Sequence, residues 1–220
     1  MMPDLLHRYG PDLLTGFGMT LFTWALGTLL GFALGFAIEL LRRFGPKRLA
    51  WPIRAYVEFI RGTPFLVQLF VLYYGGPLIG LRLDALPAGV LGLTIYGSAY
   101  FTEILRAGFD AVPKGQIEAA RAMGFTDGVI VRRIMVPVMM VSALPALVNF
   151  AIILTKETVI LSMITVPEIM FQTQTMMSET FAFVEPILIL ALFFWGFVEV
   201  ISRLGRRLER RFTHYLLERS

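Results

Sequence analysis

The chain has 220 residues, of which 56% are hydrophobic and only 16% are charged, and its mean hydropathy is +0.70. Average soluble proteins carry about 25% charged residues, so this composition excludes an ordinary soluble domain and indicates a surface that faces lipid. The absence of cysteine excludes disulfides, thiolate metal sites and thiol catalysis. The net charge of +4 does not indicate nucleic acid, because the basic residues cluster between apolar runs, as at a membrane surface.

Uncharged runs along the chain predict five membrane-spanning helices in a single domain, residues 1–220. A bilayer crossing needs about 20 predominantly apolar residues. The predicted spans are about residues 13–39, 62–81, 87–105, 134–155 and 181–201. The first twelve residues are polar, and we expect them to be short and exposed. We expect no cleaved signal peptide, because the first apolar run has no basic region of its own and is long enough to remain as a span.

Three glycines recur every four residues in the first span, at Gly27, Gly31 and Gly35. A stripe of small residues on one helix face suits close packing against another membrane helix. The alternative is the general enrichment of glycine in membrane helices. Both interpretations are open from the sequence.

Charged residues at the ends of the spans have the spacing of pairs on one helix face. The predicted pairs are Glu39 with Arg43, Glu58 with Arg61, and Glu103 with Arg106.

Residues 158–167 are apolar but only half as long as a bilayer crossing requires. We therefore predict a re-entrant or tucked half-helix here, followed by a polar stretch at residues 170–180.

The orientation in the membrane follows from the basic residues, which favour the cytoplasmic side. Of the 20 basic residues, 17 fall into three groups. The groups are Arg42, Arg43, Lys47, Arg48, Arg54 and Arg61; then Arg106, Lys114, Arg121, Arg132 and Arg133; then Arg203, Arg206, Arg207, Arg210, Arg211 and Arg219. Five crossings place all three groups on one side. We therefore predict the N-terminus outside, the C-terminus inside, and a cytoplasmic loop at residues 110–133.

The sequence lacks the residues that catalysis or nucleotide binding would need. It contains no G-x-x-x-x-G-K-[ST] loop to cradle ATP phosphates. His7 and His214 lie at opposite ends of the chain and on opposite membrane faces of the predicted topology, so they cannot form one metal site. We expect neither catalysis nor a metal or cofactor site in this chain.

The polar loop from Glu118 to Pro137 is the most distinctive stretch. Residues 116–123 contain good helix formers, and Gly124 has the position of a left-handed residue that ends a helix. We predict a short helix, a turn and a second short helix, with Pro137 in the first turn of the next span. The alanines of this loop leave little side-chain bulk, so another protein can approach closely.

This loop resembles the "EAA" cytoplasmic loop of ABC importer permeases. The resemblance is carried by Glu118-Ala119-Ala120 with Gly124, Ile134 and Pro137 at their spacings. The preceding residues, from Val112 to Gln116, resemble the polar amino acid subfamily, as do Glu58 to Pro64 and Tyr100 to Gly108. The resemblance covers roughly residues 12–205.

The resemblance implies an all-α integral membrane protein like the type I ABC importer permeases, with five transmembrane helices and a cytoplasmic coupling helix. It implies ATP-driven import of a polar amino acid across a bacterial cytoplasmic membrane. The implied partners are a second permease subunit, two copies of an ABC ATPase that bind ATP and Mg, and an extracytoplasmic amino-acid-binding protein. The residues expected to contact the ATPase are Gln116, Glu118, Ala119, Ala120, Ala122, Gly124 and Phe125.

Polar residues near the fourth span are candidates for the substrate pathway, because polar groups inside a membrane are costly to bury. The candidates are Asn149, Thr155, Glu157, Thr158 and Gln172. The resembled family has a Lys-Asp/Glu-Thr/Ser-Ser-Leu stretch here, and this chain departs from it with Val159. The alternative is a structural ion pair of Lys156 with Glu157 that caps the helix end.

Two other functions are open from the sequence. A secondary transporter or channel would need no ATPase, although such folds often contain inverted repeats and none is visible here. A scaffold permease subunit would hold no substrate itself. The sequence does not identify the amino acid, nor whether the permease pair is homomeric.

Overall fold

The computed structural model describes residues 2–217, and the side chains of residues 5–210. This range is built from helices without strands, as the sequence predicts. The helices are α1 (Met2–Phe44), α2 (Ala50–Gly62), α3 (Phe65–Phe70), α4 (Ala85–Asp110), α5 (Lys114–Ala122), α6 (Asp127–Ile130), α7 (Val136–Glu157), α8 (Ile169–Thr180) and α9 (Val184–Leu217). Arg219 lies outside the described residues, and so do the side chains of Arg211 and His214.

Three helical stretches among the described residues are long and apolar enough to cross a membrane: Leu5–Phe44, Asp127–Ile164 and Val184–Arg210. A fourth crossing is possible if Lys47–Gly62 and Phe65–Ile79, which meet at 108°, form one broken span. The predicted third span corresponds to α4, which has 26 residues and is not among these stretches.

Helix α4 lies at the centre of the bundle, between α1, α2 and α7. Its Thr94, Ser98 and Thr102 are buried. Their hydroxyls donate to carbonyl oxygens of the preceding turn, as from Thr102 Oγ1 to Ser98 O at 2.7 Å. Because α4 is surrounded by other helices, it does not need the aliphatic surface of a helix that faces lipid.

The glycine stripe of α1 is the surface against which α4 packs. A Cβ atom built at Gly27 would lie 2.7 Å from Leu93 Cβ, and one at Gly35 would lie 2.7 Å from Ser98 O. Such distances leave no room for a side chain. The close-packing interpretation of the stripe is therefore confirmed.

The polar N-terminus, predicted to be short and exposed, is instead the first part of α1. Leu5, Tyr9 and Leu13 recur every four residues and are buried against a cluster that includes Ile169 and Met176 of α8. Tyr9 also donates a hydrogen bond to Glu179 Oε2 at 2.8 Å. The prediction of an exposed N-terminus was wrong for two reasons. The apolar stripe of this segment is only one residue wide, and the helix that covers it, α8, was not predicted.

The predicted second span, residues 62–81, begins at a helix boundary: α2 ends at Gly62, and α3 begins at Phe65 after Thr63-Pro64. The Gln68 side chain stabilises the junction between α2 and α3. Its Nε2 donates hydrogen bonds to Ile60 O at 2.7 Å and to Thr63 Oγ1 at 2.8 Å. Helix α3 continues through a π-helical turn, Val71–Gly75, and a 3₁₀ turn, Gly76–Ile79.

The second short helix of the polar loop is not a separate element. Helix α6 passes through a π-helical turn, Val131–Met135, directly into α7, so one stretch runs from Asp127 to Ile164. Pro137 lacks an N–H and crowds the carbonyl four residues earlier, and the wider π turn accommodates this. The predicted half-helix likewise extends α7 as a 3₁₀ helix, Thr158–Ile164.

Candidate coupling surface and polar cluster

Helix α5 ends at Gly124 in the way that the sequence predicts. Gly124 has φ +82°. The Phe125 N–H donates to Ala120 O at 3.1 Å, and the Gly124 N–H donates to Arg121 O at 2.9 Å. This pair of bonds is the Schellman arrangement, which needs a left-handed residue at this position. The turn thus fixes where α5 stops and where α6 begins.

One face of α5 holds it to the bundle. Ala120 is 1% exposed and belongs to the core cluster that includes Val112, Ile130 and Met135. Its side chain therefore packs inside this chain and does not lie on the outer surface with its neighbours. A small residue here lets α5 approach the start of α6 closely.

The opposite face of α5 is open. The other predicted contact residues are all exposed, on α5 or in the turn that follows it: Gln116, Glu118, Ala119, Ala122, Gly124 and Phe125. A groove of about 360 Å³ runs between α5 and the end of α1, with Phe44, Glu118 and Arg121 among its lining residues. The result is a short helix with two exposed alanines beside a groove lined by charged side chains.

A network of ion pairs lies next to α5 and connects α1, α2 and α4. Glu39 has no exposed surface and accepts hydrogen bonds from Arg42 at 2.7 Å and from Arg43 at 3.2 Å. Arg43 also binds Asp110, the last residue of α4. The predicted pair of Glu39 with Arg43 is therefore present, as one part of a larger network.

The network continues along α4. Arg106 binds Asp110 and Glu103, each at 3.1 Å, and Arg61 of α2 binds Glu103 at 3.5 Å. Burial opposes ionisation of Asp110, but Arg43 and Arg106 outweigh it and lower its pKa below the ordinary value.

Glu58 does not pair with Arg61 as its spacing suggests; it binds Arg54 at 2.7 Å. Arg61 points to Glu103, 42 residues away in the sequence, which local spacing cannot reveal.

The predicted pathway residues fall into three environments. Thr155 and Thr158 are buried, and their hydroxyls donate to Ile152 O and Thr155 O, each at 2.7 Å. Gln172 is half-buried on α8 and packs against Gly16 of α1. A Cβ atom built at Gly16 would lie only 2.8 Å from the Gln172 Cγ atom.

Asn149 and Glu157 of α7 are more available. Asn149 is exposed, and Glu157 is half-buried and makes no hydrogen bond or ion pair with any described side chain, including Lys156.

An exposed polar stripe along α7 joins these residues to a cavity that sequence reasoning missed. Ser142, Asn149 and Lys156 are seven residues apart and exposed, so they share one helix face. Ser142 borders a cavity of about 390 Å³ between α4 and α7, with Tyr100 and Glu103 among its other lining residues. The seven-residue spacing of these polar residues could have predicted the stripe from the sequence.

No group of residues that could hold a metal ion occurs in the part of the chain that the structure describes.

Comparison with known proteins identifies the family. Residues 17–214 match the model for the inner membrane component of binding-protein-dependent transport systems. The chain is 34% identical to the probable amino-acid ABC transporter permease protein YckA of Bacillus subtilis, over 83% of this chain and 80% of YckA. It is 40% identical to the probable glutamine ABC transporter permease protein GlnM of the same organism, over 73% of this chain and 74% of GlnM.

A solved structure agrees with these relatives. The crystal structure of an amino acid ABC transporter with histidines has a chain that is 36% identical, with a TM-score of 0.87 over 94% of this chain and 96% of that chain. The chain therefore belongs to the inner-membrane components of binding-protein-dependent transport systems, the permease subunits of ABC importers, in which separate subunits hydrolyse ATP.

Proposed function

We propose that this permease subunit imports a polar amino acid, driven by ATP hydrolysis in its ATPase partners. The observation that carries the proposal is the exposed face of α5, on a helix that the Gly124 turn and the buried Ala120 hold firmly to the bundle. Relatives named as amino-acid and glutamine permeases support the substrate class.

The proposed topology has five crossings, with the N-terminus outside and the C-terminus inside. The second crossing is residues 62–81, which contain α3 and begin where α2 ends, and the third is α4. The N-terminal part of α1 contacts α8 through Tyr9 and Glu179. The far end of α1 contacts Asp110, just before α5. These contacts support opposite sides for the N-terminus and the 110–133 loop.

We propose an assembly of two permease subunits, two copies of the ATPase and an extracytoplasmic amino-acid-binding protein. In this family the ATPases bind ATP and Mg. A socket on each ATPase would receive α5, and movement of that socket would rock the attached helices as rigid bodies. Because α4 precedes α5 directly and α6 runs into α7, this movement reaches both walls of the cavity between α4 and α7.

The proposed coupling contact can be tested by charge reversal on the exposed face of α5. Glu118→Arg should abolish co-purification with the ATPase while the subunit still inserts into the membrane, because the reversed charge would face the socket. Asp84→Arg, a charge reversal of an exposed residue just before α4 and on the outer side of the proposed topology, serves as the control and should co-purify normally. Co-purification of both variants at the wild-type level would contradict the proposal.

We propose the pathway along the exposed face of α7, at Asn149 and Glu157. The other candidate residues, Thr155, Thr158 and Gln172, lie deeper in the protein. Glu157 is the best acceptor for a substrate ammonium group, since it is half-buried and makes no hydrogen bond or ion pair with a described side chain. Thr155 and Thr158 contribute less through their hydroxyls, which are bonded to the backbone. A scaffold subunit without a substrate site is the second candidate, favoured by this internal bonding and by Val159.

A further inference from the structure

We propose that α2 lies at the cytoplasmic membrane surface and that its charged face holds the phosphate headgroup of an anionic phospholipid. The proposal goes beyond amino-acid import and rests only on the assignment of this end of the bundle to the cytoplasm.

Helix α2 carries three adjoining faces at 3.6 residues per turn. The face against the bundle contains Ile53, Val57 and Ile60, of which Val57 and Ile60 are buried. The second face is apolar but exposed, and it contains Trp51, Ala55 and Phe59. The third is charged and exposed, and it contains Arg54, Glu58 and Arg61. A helix surrounded by water on its free sides would not need the second face.

The exposed apolar face indicates lipid. Trp51 is 77% exposed and Phe59 is 66% exposed. Aromatic side chains, tryptophan above all, are enriched where a protein meets the boundary between lipid and water. An amphipathic helix at that boundary buries its apolar face among the acyl chains and keeps its charged face near the headgroups.

The segment that leads into α2 is basic. Residues 40–57 contain five basic residues and no acidic residue. They are Arg42, Arg43, Lys47, Arg48 and Arg54. Basic segments next to a membrane helix attract the anionic lipids of the cytoplasmic leaflet, at about 1 kcal/mol for each basic residue near the surface.

A cleft beside the charged face has the size and lining for a headgroup. It measures about 450 Å³ and lies between α1, α2 and α4. The charged side chains that line it are Arg42, Arg54, Arg61, Arg106, Glu58 and Glu103. Four positive and two negative charges thus face the cleft, while Glu39 and Asp110, outside the lining, also bind Arg42 and Arg106.

The arginines of the cleft keep donors for a phosphate. The Arg54 Nε donates to Glu58 at 2.7 Å, and its Nη atoms make no hydrogen bond to a described residue. An arginine has five N–H donors in a planar fork that fits a phosphate. A free phosphate would satisfy these donors equally well, but it would leave the apolar face that contains Trp51 and Phe59 without a partner. A phospholipid satisfies both faces at once.

The test measures how much dioleoylphosphatidylglycerol stays bound to the purified transporter complex by native mass spectrometry, after release from dioleoylphosphatidylcholine nanodiscs that contain this lipid. Arg54→Gln should lower retention about five-fold, as expected for the loss of one basic charge at an anionic surface. Glu58→Gln should raise retention, because it removes a competing carboxylate. A merely structural disturbance would lower retention in both variants.

Matched controls lie on α9, where Arg203 binds Glu199 with the same four-residue spacing and the same 2.7 Å distance. Arg203→Gln and Glu199→Gln should leave retention unchanged. Equal retention in Arg54→Gln and wild type would overturn the proposal. So would displacement of the lipid by inorganic phosphate at the same concentration, since that result would assign the cleft to the free ion. Loss of amino-acid uptake with lipid retention intact would count against the proposed function and not against this site.

Discussion

Gly124 is the residue on which the shape of the α5 turn depends. Its φ of +82° lies in the left-handed region, and a Cβ atom there would meet nothing within 4 Å. Backbone strain is therefore the only obstacle to a side chain. The sequence was sufficient to predict this residue, because its position after a run of helix formers is a local signal.

Gly124→Ala should strain the turn by about 1–2 kcal/mol, which corresponds to a five- to thirty-fold fall in the population of the native turn. We expect transport-coupled ATP hydrolysis to fall by a similar factor. Gly115→Ala is the matched control, because this glycine of α5 is also open to space but has no left-handed φ. Equal activity in the two variants would mean that the turn does not set the coupling geometry.

Glu39 is the buried centre of the ion-pair network. The Glu39→Gln substitution removes the carboxylate that Arg42 and Arg43 share. The Arg42 side chain is 28% exposed and the Arg43 side chain is 22% exposed. Removing one member of a fully buried pair costs about 3–5 kcal/mol, and partial exposure reduces this to about 2–3 kcal/mol.

The expected result for Glu39→Gln is a melting temperature lower by about 5 °C in detergent. Glu58→Gln is the control, since Glu58 also binds an arginine at 2.7 Å but is 63% exposed. An unchanged melting temperature in Glu39→Gln would show that the network contributes no stability.

Glu157 tests whether this subunit holds the substrate. Glu157→Gln keeps the size of the side chain and removes its charge, so uptake should fall at least ten-fold while complex assembly and basal ATP hydrolysis persist. The comparison is Glu185→Gln, near the start of α9. Failure of assembly would favour a structural role instead, and unchanged uptake would favour the scaffold function.

At the scale of elements, the period of the glycines in α1 predicted a packing surface, and α4 occupies it. Residue spacing did not predict the packing of α8 or the contacts at the junction between α2 and α3. The buried residues of α8, Ile169, Thr173 and Met176, have helical spacing, but the polar residues between them concealed it. The break at Thr63-Pro64 depends on the Gln68 amide, whose contacts appear only in three dimensions.

Gly35→Ala should overpack the contact of α1 with α4, because a Cβ atom there would lie 2.7 Å from Ser98 O and 2.8 Å from Phe101 Cβ. The expected cost is about 1–3 kcal/mol, measured as a lower melting temperature of the purified subunit. Gly18→Ala on the same helix meets nothing within 4 Å and should be neutral or slightly stabilising. A Gly35→Ala variant as stable as Gly18→Ala would contradict the packing described here.

At the scale of the whole molecule, the two ends of the bundle differ in their charges and contacts. One end holds α5, the ion-pair network and most of the basic residues, and the other holds the contact of α1 with α8. Composition was enough to predict a membrane protein, and the orientation inferred from the basic clusters stays a prediction. Contacts between distant residues, such as Arg61 with Glu103, could not be predicted, because no local spacing encodes them.

The most direct test of this account is the uptake of radiolabelled polar amino acids into proteoliposomes that contain the whole complex. The account predicts that one of these amino acids accumulates against its gradient only when the binding protein is outside and ATP is inside, and that Glu118→Arg abolishes accumulation. Uptake that proceeds without ATP, or that survives Glu118→Arg at the wild-type rate, would contradict it.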